Sequence, residues 1–251
     1  MRKPFSVDIV SVFPEFFSGS LSCSLLKRAG STGKVAFRFH NPRDFTKDAH
    51  RTVDEKPFGG GAGMVMKSEP LFACVEAIQK QKKKSKGYVI LLTPRGRPLT
   101  QALAHRLAKK KHLILICGHY EGVDERVSQY LVDDEISLGD FITMGGEAPA
   151  LCLIESVVRL IPGVLGNPES LKEESFSHSR NGTSFPRLEF PHYTRPRIFR
   201  GWRVPEVLLS GNHKAIEKWR KEESLRLTRK KRPDLLTLKS TPFKRNERIQ
   251  P

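Results

Sequence analysis

The chain has 251 residues, and 44 Lys and Arg against 27 Asp and Glu leave a formal charge of +17. This length accommodates one large domain or two smaller ones, and 38% hydrophobic residues spread along the chain exclude a wholly disordered protein. No apolar run approaches the roughly 20 residues of a membrane-spanning helix, and Asp8 interrupts the apolar stretch after Met1-Arg2-Lys3-Pro4, so a soluble, cytosolic protein without a signal peptide or membrane partner is expected.

Residues 6–13 are rich in β-branched side chains and predict a strand, after which Pro14 opens an expected helix through about Leu26. Lys34 to His40 alternates, placing Val35, Phe37 and Phe39 on one face of a second strand. Asn41 to Gly63 is polar and glycine-rich without a period, the pattern of a functional or mobile loop. An amphipathic helix is expected from Ser68 to about Gln81, then a turn rich in lysine (Lys82, Lys83, Lys84, Lys86). Two continuous apolar runs, Tyr88 to Leu92 and Leu113 to Cys117, are separated by a helix from Pro98 to Ala108. Helices from about Val123 to Tyr130 and from Pro149 to Leu160 follow. Short apolar strands alternating with helices predict an α/β domain with a parallel sheet covered on both faces.

From Gly163 to Pro196 the chain is rich in Gly, Pro, Ser and Asn and has no apolar period, so an interdomain linker falls there. Lys214 to Arg229 then reads as a helix whose Ile216, Trp219 and Leu225 share one face. Arg220, Lys221, Arg226, Arg229, Lys230, Lys231 and Arg232 crowd the rest of that region. The expected division is an α/β domain over 1–165, a linker over 166–190 and a small, basic, helical domain over 191–251 with a frayed tail from Thr237. A net charge of +17 favours a polyanionic partner, because cations that neutralise phosphates release counterions; a merely solubilising charge is the alternative.

Cys23, Cys74, Cys117 and Cys152 are far apart, with no CxxC pair and no His at ligand spacing, so no metal site is indicated and all four are expected as small buried residues. Three glycine-containing turns follow strand ends: Thr93-Pro-Arg-Gly96, Gly118-His-Tyr-Glu-Gly122, and Ser137-Leu-Gly139-Asp140 with Gly145-Gly146 beyond. In parallel sheets ligands sit outside the carboxyl ends of the strands, so these turns suggest one shared pocket, while ordinary turn glycine is the plainer reading of each alone. Gly59-Gly60-Gly61-Ala62-Gly63 is not a phosphate-binding P-loop, since no glycine directly precedes Lys67. Beside Arg43, His50, Arg51 and Lys56 it can approach a phosphate backbone or simply be a surface loop. From spacing alone Glu121, Asp124 and Glu125 are first-turn helix acids, Arg159 is a charge on the last turn of its helix, and Glu173 and Glu174 are solvated linker residues.

The motifs Asn41-Pro-Arg-Asp-Phe45, Arg51-Thr-Val-Asp54, Gly59-Gly-Gly-Ala-Gly-Met64, Cys117-Gly-His-Tyr-Glu-Gly-Val-Asp-Glu-Arg126, Ser137-Leu-Gly-Asp140, Gly145-Gly-Glu147 and Ile161-Pro-Gly-Val-Leu-Gly166 resemble bacterial tRNA (guanine-N1)-methyltransferases, the TrmD family of the SPOUT superfamily. Pro191-His-Tyr-Thr-Arg-Pro196 and Val207-Leu-Leu-Ser-Gly-Asn-His213 extend the resemblance into the second domain, so that it runs from about Val7 to Leu236. It implies a deep trefoil knot in the α/β domain, where pattern alone predicts an unknotted, doubly wound sheet. It also implies a mobile linker, a helical C-terminal domain, an obligate homodimer and a tRNA substrate.

The resemblance further implies S-adenosylmethionine bent among the three strand-end turns. The residues carried over for it are Leu92, Thr93, Pro94 and Gly96; Gly118, Tyr120 and Gly122; Ser137, Leu138, Gly139, Asp140, Phe141, Ile142 and Thr143; and Gly145, Gly146 and Pro149. The implied reaction is methyl transfer to N1 of the guanosine immediately 3′ of the anticodon. That nitrogen must lose a proton while charge builds on O6, which requires a base and a nearby cation. By resemblance these are Glu174 and Arg159, with Glu121 near the guanine or a magnesium ion. Two departures stand out: Glu174 occupies the place of the family's usual aspartate, and the linker between Phe176 and Pro191 is longer than usual, leaving Ser177 to Phe190 unaligned. A related ribose 2′-O-methyltransferase and a non-catalytic RNA-binding module are the competing readings.

Overall fold

The computed structural model describes residues 3–81, 86–171, 173–177 and 186–237. Lys82, Lys83 and Lys84, the segment 178–185 and the polar tail beyond Thr237 lie outside the described residues, as do Met1 and Arg2. Two compact units meet in sequence at Gly166 and Asn167. Among the described residues no helix is long and apolar enough to cross a membrane.

The first unit runs through β1 (Phe5–Val10), α1 (Ser18–Leu21), α2 (Ser24–Ser31), β2 (Val35–His40), β3 (Asp54–Glu55), β4 (Val65–Met66) and α3 (Ser68–Gln81). It continues through β5 (Tyr88–Pro98), α4 (Gln101–Ala108), β6 (His112–Cys117), α5 (Glu125–Tyr130), β7 (Asp134–Ser137) and α6 (Glu147–Val158). Five strands form one parallel sheet in the order β2-β1-β6-β5-β7. The apolar runs are continuous because alternate residues serve opposite faces. Ile90, Leu92, Leu113, Leu115 and Cys117 pack under α2, α4 and α6. Val89, Leu91, Ile114 and Ile116 pack under α3 and α5.

Several expectations are corrected. The helix expected from Pro14 to Leu26 is a 3-10 turn (Pro14–Phe17) followed by α1 and α2, separated at Ser22 and Cys23. Serine hydroxyls compete for backbone carbonyls there: Ser18 donates to the Glu15 carbonyl (2.8 Å) and Ser22 to that of Ser18, while Ser24 takes a φ of 48°. The loop from Asn41 to Gly63 contains a 3-10 turn at Pro42–Phe45 and β3, which pairs antiparallel with β4. Two-residue strands carry no readable period. Cys74 and Cys117 are buried, but Cys23 and Cys152 are exposed, the first in the break before α2 and the second on the outer side of α6. Burial pushes the Cys74 thiol up to about 12 and raises that of Cys117 as well, so neither supplies a thiolate at neutral pH.

Asp8, in the middle of β1, is a carboxylate only 1% exposed on the face packed by α3. Parallel pairing sets Arg38 beside it, and Arg38 Nε and Nη2 donate to its two oxygens at 2.7 and 2.6 Å. His40 Nε2 and His112 Nε2 add contacts at 2.7 and 2.6 Å. Desolvation works to raise this carboxyl's pKa, but the hydrogen bonds from His112, His40 and Arg38 outweigh it and hold the group well below the usual range.

The second unit contains β8 (Ile198–Phe199), β9 (Trp202–Arg203), α7 (Glu206–Leu209) and α8 (His213–Lys231). Asn212 caps α8 by accepting from the Ala215 N–H at 3.1 Å. Residues 186–190 lie along that helix, the Leu188 N–H donating to Thr228 Oγ1 (2.9 Å) and its carbonyl accepting from Ser224 Oγ (2.6 Å).

The Asp8 cluster yields a stability prediction with a defined sign. Because the folded pKa lies below the unfolded value of about 4, its stabilisation is complete above that pH and is lost progressively as pH falls from there towards the folded value. Asp8→Asn should cost about 3–5 kcal/mol in denaturant melts at pH 7, and the gap to the parent should narrow progressively below about pH 4.

Candidate functional site

The loops after β5, β6 and β7 come together because those strands are neighbours in the sheet, in the order β6-β5-β7. They surround a cavity of about 1360 Å³ within the first unit. Ile136 pairs with both Leu92 and Arg97, so Thr93 to Gly96 bulge out of β5 before the strand resumes. A Cβ on Gly96 would lie 2.4 Å from the Ile136 nitrogen, so only glycine permits the loop to fold back on β7. The β6 loop turns at Tyr120, which holds a φ of 58°, and at Gly122, with a φ of 122°. Left-handed backbone at a tyrosine stores local strain beside the cavity. The Tyr120 hydroxyl receives a long hydrogen bond from Arg43 Nη2 at 3.4 Å.

The third loop returns to the second at Gly146, whose N–H donates to the Gly118 carbonyl at 2.7 Å. A Cβ there would lie 2.7 Å from Cys117 Cα and 2.8 Å from the Gly118 nitrogen. This contact sets the N-terminus of α6 against the end of β6. Glu147, in the first turn of α6, is 4% exposed; it accepts from Ser11 Oγ at 2.7 Å and lies 3.6 Å from His119 Nδ1. The β4 strand closes another wall: Met66 donates to the Gly122 carbonyl (2.9 Å), and the Asp124 N–H donates back to the Met66 carbonyl (2.9 Å).

Leu92, Thr93, Pro94, Gly118, Tyr120, Glu121, Gly122, Ser137, Leu138, Phe141, Ile142, Thr143, Gly145, Gly146 and Pro149 line the cavity. Gly96, Gly139 and Asp140 stand in the same loops outside its wall. Arg159 caps the C-terminus of α6, whose N-terminal end holds the cavity-lining Gly146 and Pro149. At the helical rise it is about 20 Å along the axis from Gly146. Glu174 lies in the second unit, half-buried in a turn whose carbonyl accepts from the Ser177 N–H at 3.1 Å.

Sequence reasoning missed other cavity residues, among them Phe58, Met66, His119 and Arg126, and it named Lys56 and Arg95 without assigning them to the cavity. His119 and Arg126 sit inside a recognised motif, whereas Lys56, Phe58 and Met66 arrive through the unrecognised β3–β4 pairing. The wall mixes signs: Lys56, Lys67, Arg95 and Arg126 stand among Glu55, Glu69, Glu121, Asp124 and Glu125. Arg95 pairs with Glu125 at 2.6 Å, and hydrogen bonds from Arg126 hold the Asp124 carboxyl below its ordinary range. Among the described residues no group of three or more His, Cys, Asp or Glu is placed to hold a metal ion.

A family profile described as tRNA (Guanine-1)-methyltransferase TrmD matches residues 5–238. A protein from Carboxydothermus hydrogenoformans named tRNA (guanine-N(1)-)-methyltransferase is 53% identical over 233 residues, covering 93% of this chain and 88% of that protein. Proteins of the same name from Gloeobacter violaceus and Brevibacillus brevis are 55% and 54% identical. These alignments cover 92% of this chain in both cases, with 97% of the first and 90% of the second.

The glycine geometry separates positions that look alike in sequence. A Cβ on Gly118 would meet only Val123 Cγ1 at 3.5 Å and the Leu92 carbonyl oxygen at 3.9 Å. Gly118→Ala should therefore change unfolding free energy by less than about 1 kcal/mol, whereas Gly96→Ala and Gly146→Ala, which must displace backbone, should each cost about 1–3 kcal/mol in denaturant melts.

Proposed function

The chain belongs to the TrmD family of tRNA (guanine-1)-methyltransferases, and we infer that it transfers a methyl group from S-adenosylmethionine to N1 of the guanosine immediately 3′ of the anticodon. The observation that carries this reading is identity above 50% to tRNA (guanine-N1)-methyltransferases along more than nine-tenths of the chain, with the three strand-end loop motifs gathered around one cavity. The cavity suits the donor chemically. A molecule with a sulfonium, an ammonium and a carboxylate needs both signs of charge, and the glycine-lined loops let backbone N–H and C=O groups approach it.

When bound, S-adenosylmethionine supplies an electrophilic methyl group on a cationic sulfur. The loops after β5, β6 and β7 would hold it in place, so that the guanine can be brought in line with the methyl group. Glu174 takes the N1 proton, so that the ring nitrogen presents a lone pair. Arg159 stabilises the charge that moves to O6. Glutamate reaches one methylene further than the family's usual aspartate, so its backbone stands farther from the base. A magnesium ion at Glu121 would complete its shell with substrate and water oxygens, since a hard cation accepts one carboxylate plus such ligands.

The proposed organisation is a knotted domain over 1–165, a linker over 166–190 and a tRNA-binding domain over 191–251. The knot follows from the family resemblance, and the close packing of Gly96 on Ile136 and of Gly146 on Cys117 is compatible with the tight loop packing it requires. The homodimer is supported by the position of Arg159, about 15 Å down α6 from the cavity-lining Pro149. In this reading the cation at work in one cavity comes from α6 of a second copy of the chain.

The test is transfer of a labelled methyl group to tRNA transcripts carrying either guanosine or adenosine 3′ of the anticodon, followed by nucleoside analysis. Label should appear only as N1-methylguanosine and only in the guanosine transcript. In single-turnover measurements Glu174→Gln should be slower by about 10² to 10⁴, the usual worth of a general base, with donor affinity by calorimetry unchanged. Mixed dimers offer an independent check. Arg159→Ala and Gly146→Val subunits, each inactive alone, should regain activity when exchanged together; continued inactivity in mixed dimers that sedimentation and denaturant melts show to be folded and paired would place Arg159 in its own chain's site.

A further inference from the structure

Between Phe190 and Pro205 the chain holds no Asp or Glu and four arginines, Arg195, Arg197, Arg200 and Arg203. Every residue from His192 to Arg203 is exposed. Among the described residues none of the four guanidiniums forms an ion pair. The cations of α8 differ, since Arg220 pairs with Glu173, Lys221 with Glu217 and Arg226 with Glu223.

At the centre of this stretch β8 and β9 form a hairpin joined by two residues, Arg200 with a φ of 51° and Gly201 with a φ of 83°. Positive φ at both turn positions matches the right-handed twist of paired strands and makes the hairpin tight. Phe199 and Trp202 are directly opposed across it, so both rings emerge on one face. Their centroids lie 6.0 Å apart, and they are 55% and 69% exposed. The Arg200 guanidinium sits 5.3 Å from the Phe199 ring centre.

A hairpin that leaves a tryptophan and a phenylalanine in water, with unpaired arginines around them, does not serve the core of its own unit. Aromatic faces flanked by cations match unpaired nucleotides, whose bases stack on rings while phosphates meet guanidiniums. Paired RNA would call on the cations alone, because its bases are already stacked. We propose that the hairpin over 198–203 is a stacking platform for an unpaired base of the tRNA substrate, with Trp202 and Phe199 as the stacking faces. Arg195, Arg197, Arg200 and Arg203 draw the adjoining phosphates to it. This proposal rests on the reading of the chain as a tRNA-modifying enzyme.

The probe is a tRNA transcript carrying the target guanosine, measured by filter binding across a salt series with the full chain and with Trp202→Ala and Trp202→Phe. Stacking one base is lost with about a 5- to 100-fold weakening on alanine substitution, and Trp202→Ala should show it. Stacking releases no counterions, so the slope of log affinity against log salt should match that of the parent. Trp202→Phe, which keeps a ring, should recover most of the affinity. The loss should sit in the KM for tRNA rather than in the single-turnover rate at saturating tRNA. Equal affinity of Trp202→Ala and the parent would overturn the platform while leaving the enzyme reading intact. A parent chain that neither binds nor methylates the transcript would instead overturn the enzyme reading. Sedimentation of each variant closes the remaining route: weaker binding that coincides with loss of the parent's oligomeric state would make this face a contact between copies and refute the proposal.

Discussion

Backbone meeting backbone without an intervening side chain is the constraint on which the site depends. Gly96 lets the β5 bulge lie against β7, and Gly146 lets the start of α6 lie against the end of β6. A Cβ at either position would lie under 3 Å from the facing backbone, so the loops would have to move apart. Gly118 is roomy, whereas Gly122 holds a φ of 122° that a residue with a Cβ rarely adopts, so glycines spaced alike along the chain do different work.

The sheet supplies the rigidity that such close contacts require. Its two faces are filled by alternate residues of β5 and β6, and the Asp8 cluster ties β1, β2 and β6 together from within. Burying a carboxylate this deeply is unfavourable unless hydrogen bonds compensate, and Arg38, His40 and His112 provide them. The cluster therefore specifies strand register as well as stability, since a one-residue slip of β2 would turn Arg38 and His40 to the other face.

Charge is distributed differently in the two units. Around the cavity positive and negative side chains alternate, as suits a small ligand carrying both signs. In the second unit the stretch around β8 and β9 is wholly positive, and much of the α8 surface is ion-paired within itself. The overall charge of +17 thus says less about the partner than its placement does.

The elements with a strong period were legible from sequence: α3, the apolar cores of β5 and β6, and the body of α8 lie where spacing puts them, because burial repeats every two or 3.6 residues. The three loop motifs were legible too, as glycines after strand ends. Hidden from sequence were β3 and β4, too short to carry a period, and the return of β5 through Pro98, which depends on pairing with a distant strand. Lys56, Phe58 and Met66 joined the cavity only through that hidden pairing. Residue types and local spacing determined which loops carry chemistry and which helices are amphipathic. Only the tertiary structure decided that β5, β6 and β7 are adjacent and that Arg159 ends far from the cavity its own helix begins, because strand order and the reach of a helix arise from contacts between residues distant in the chain.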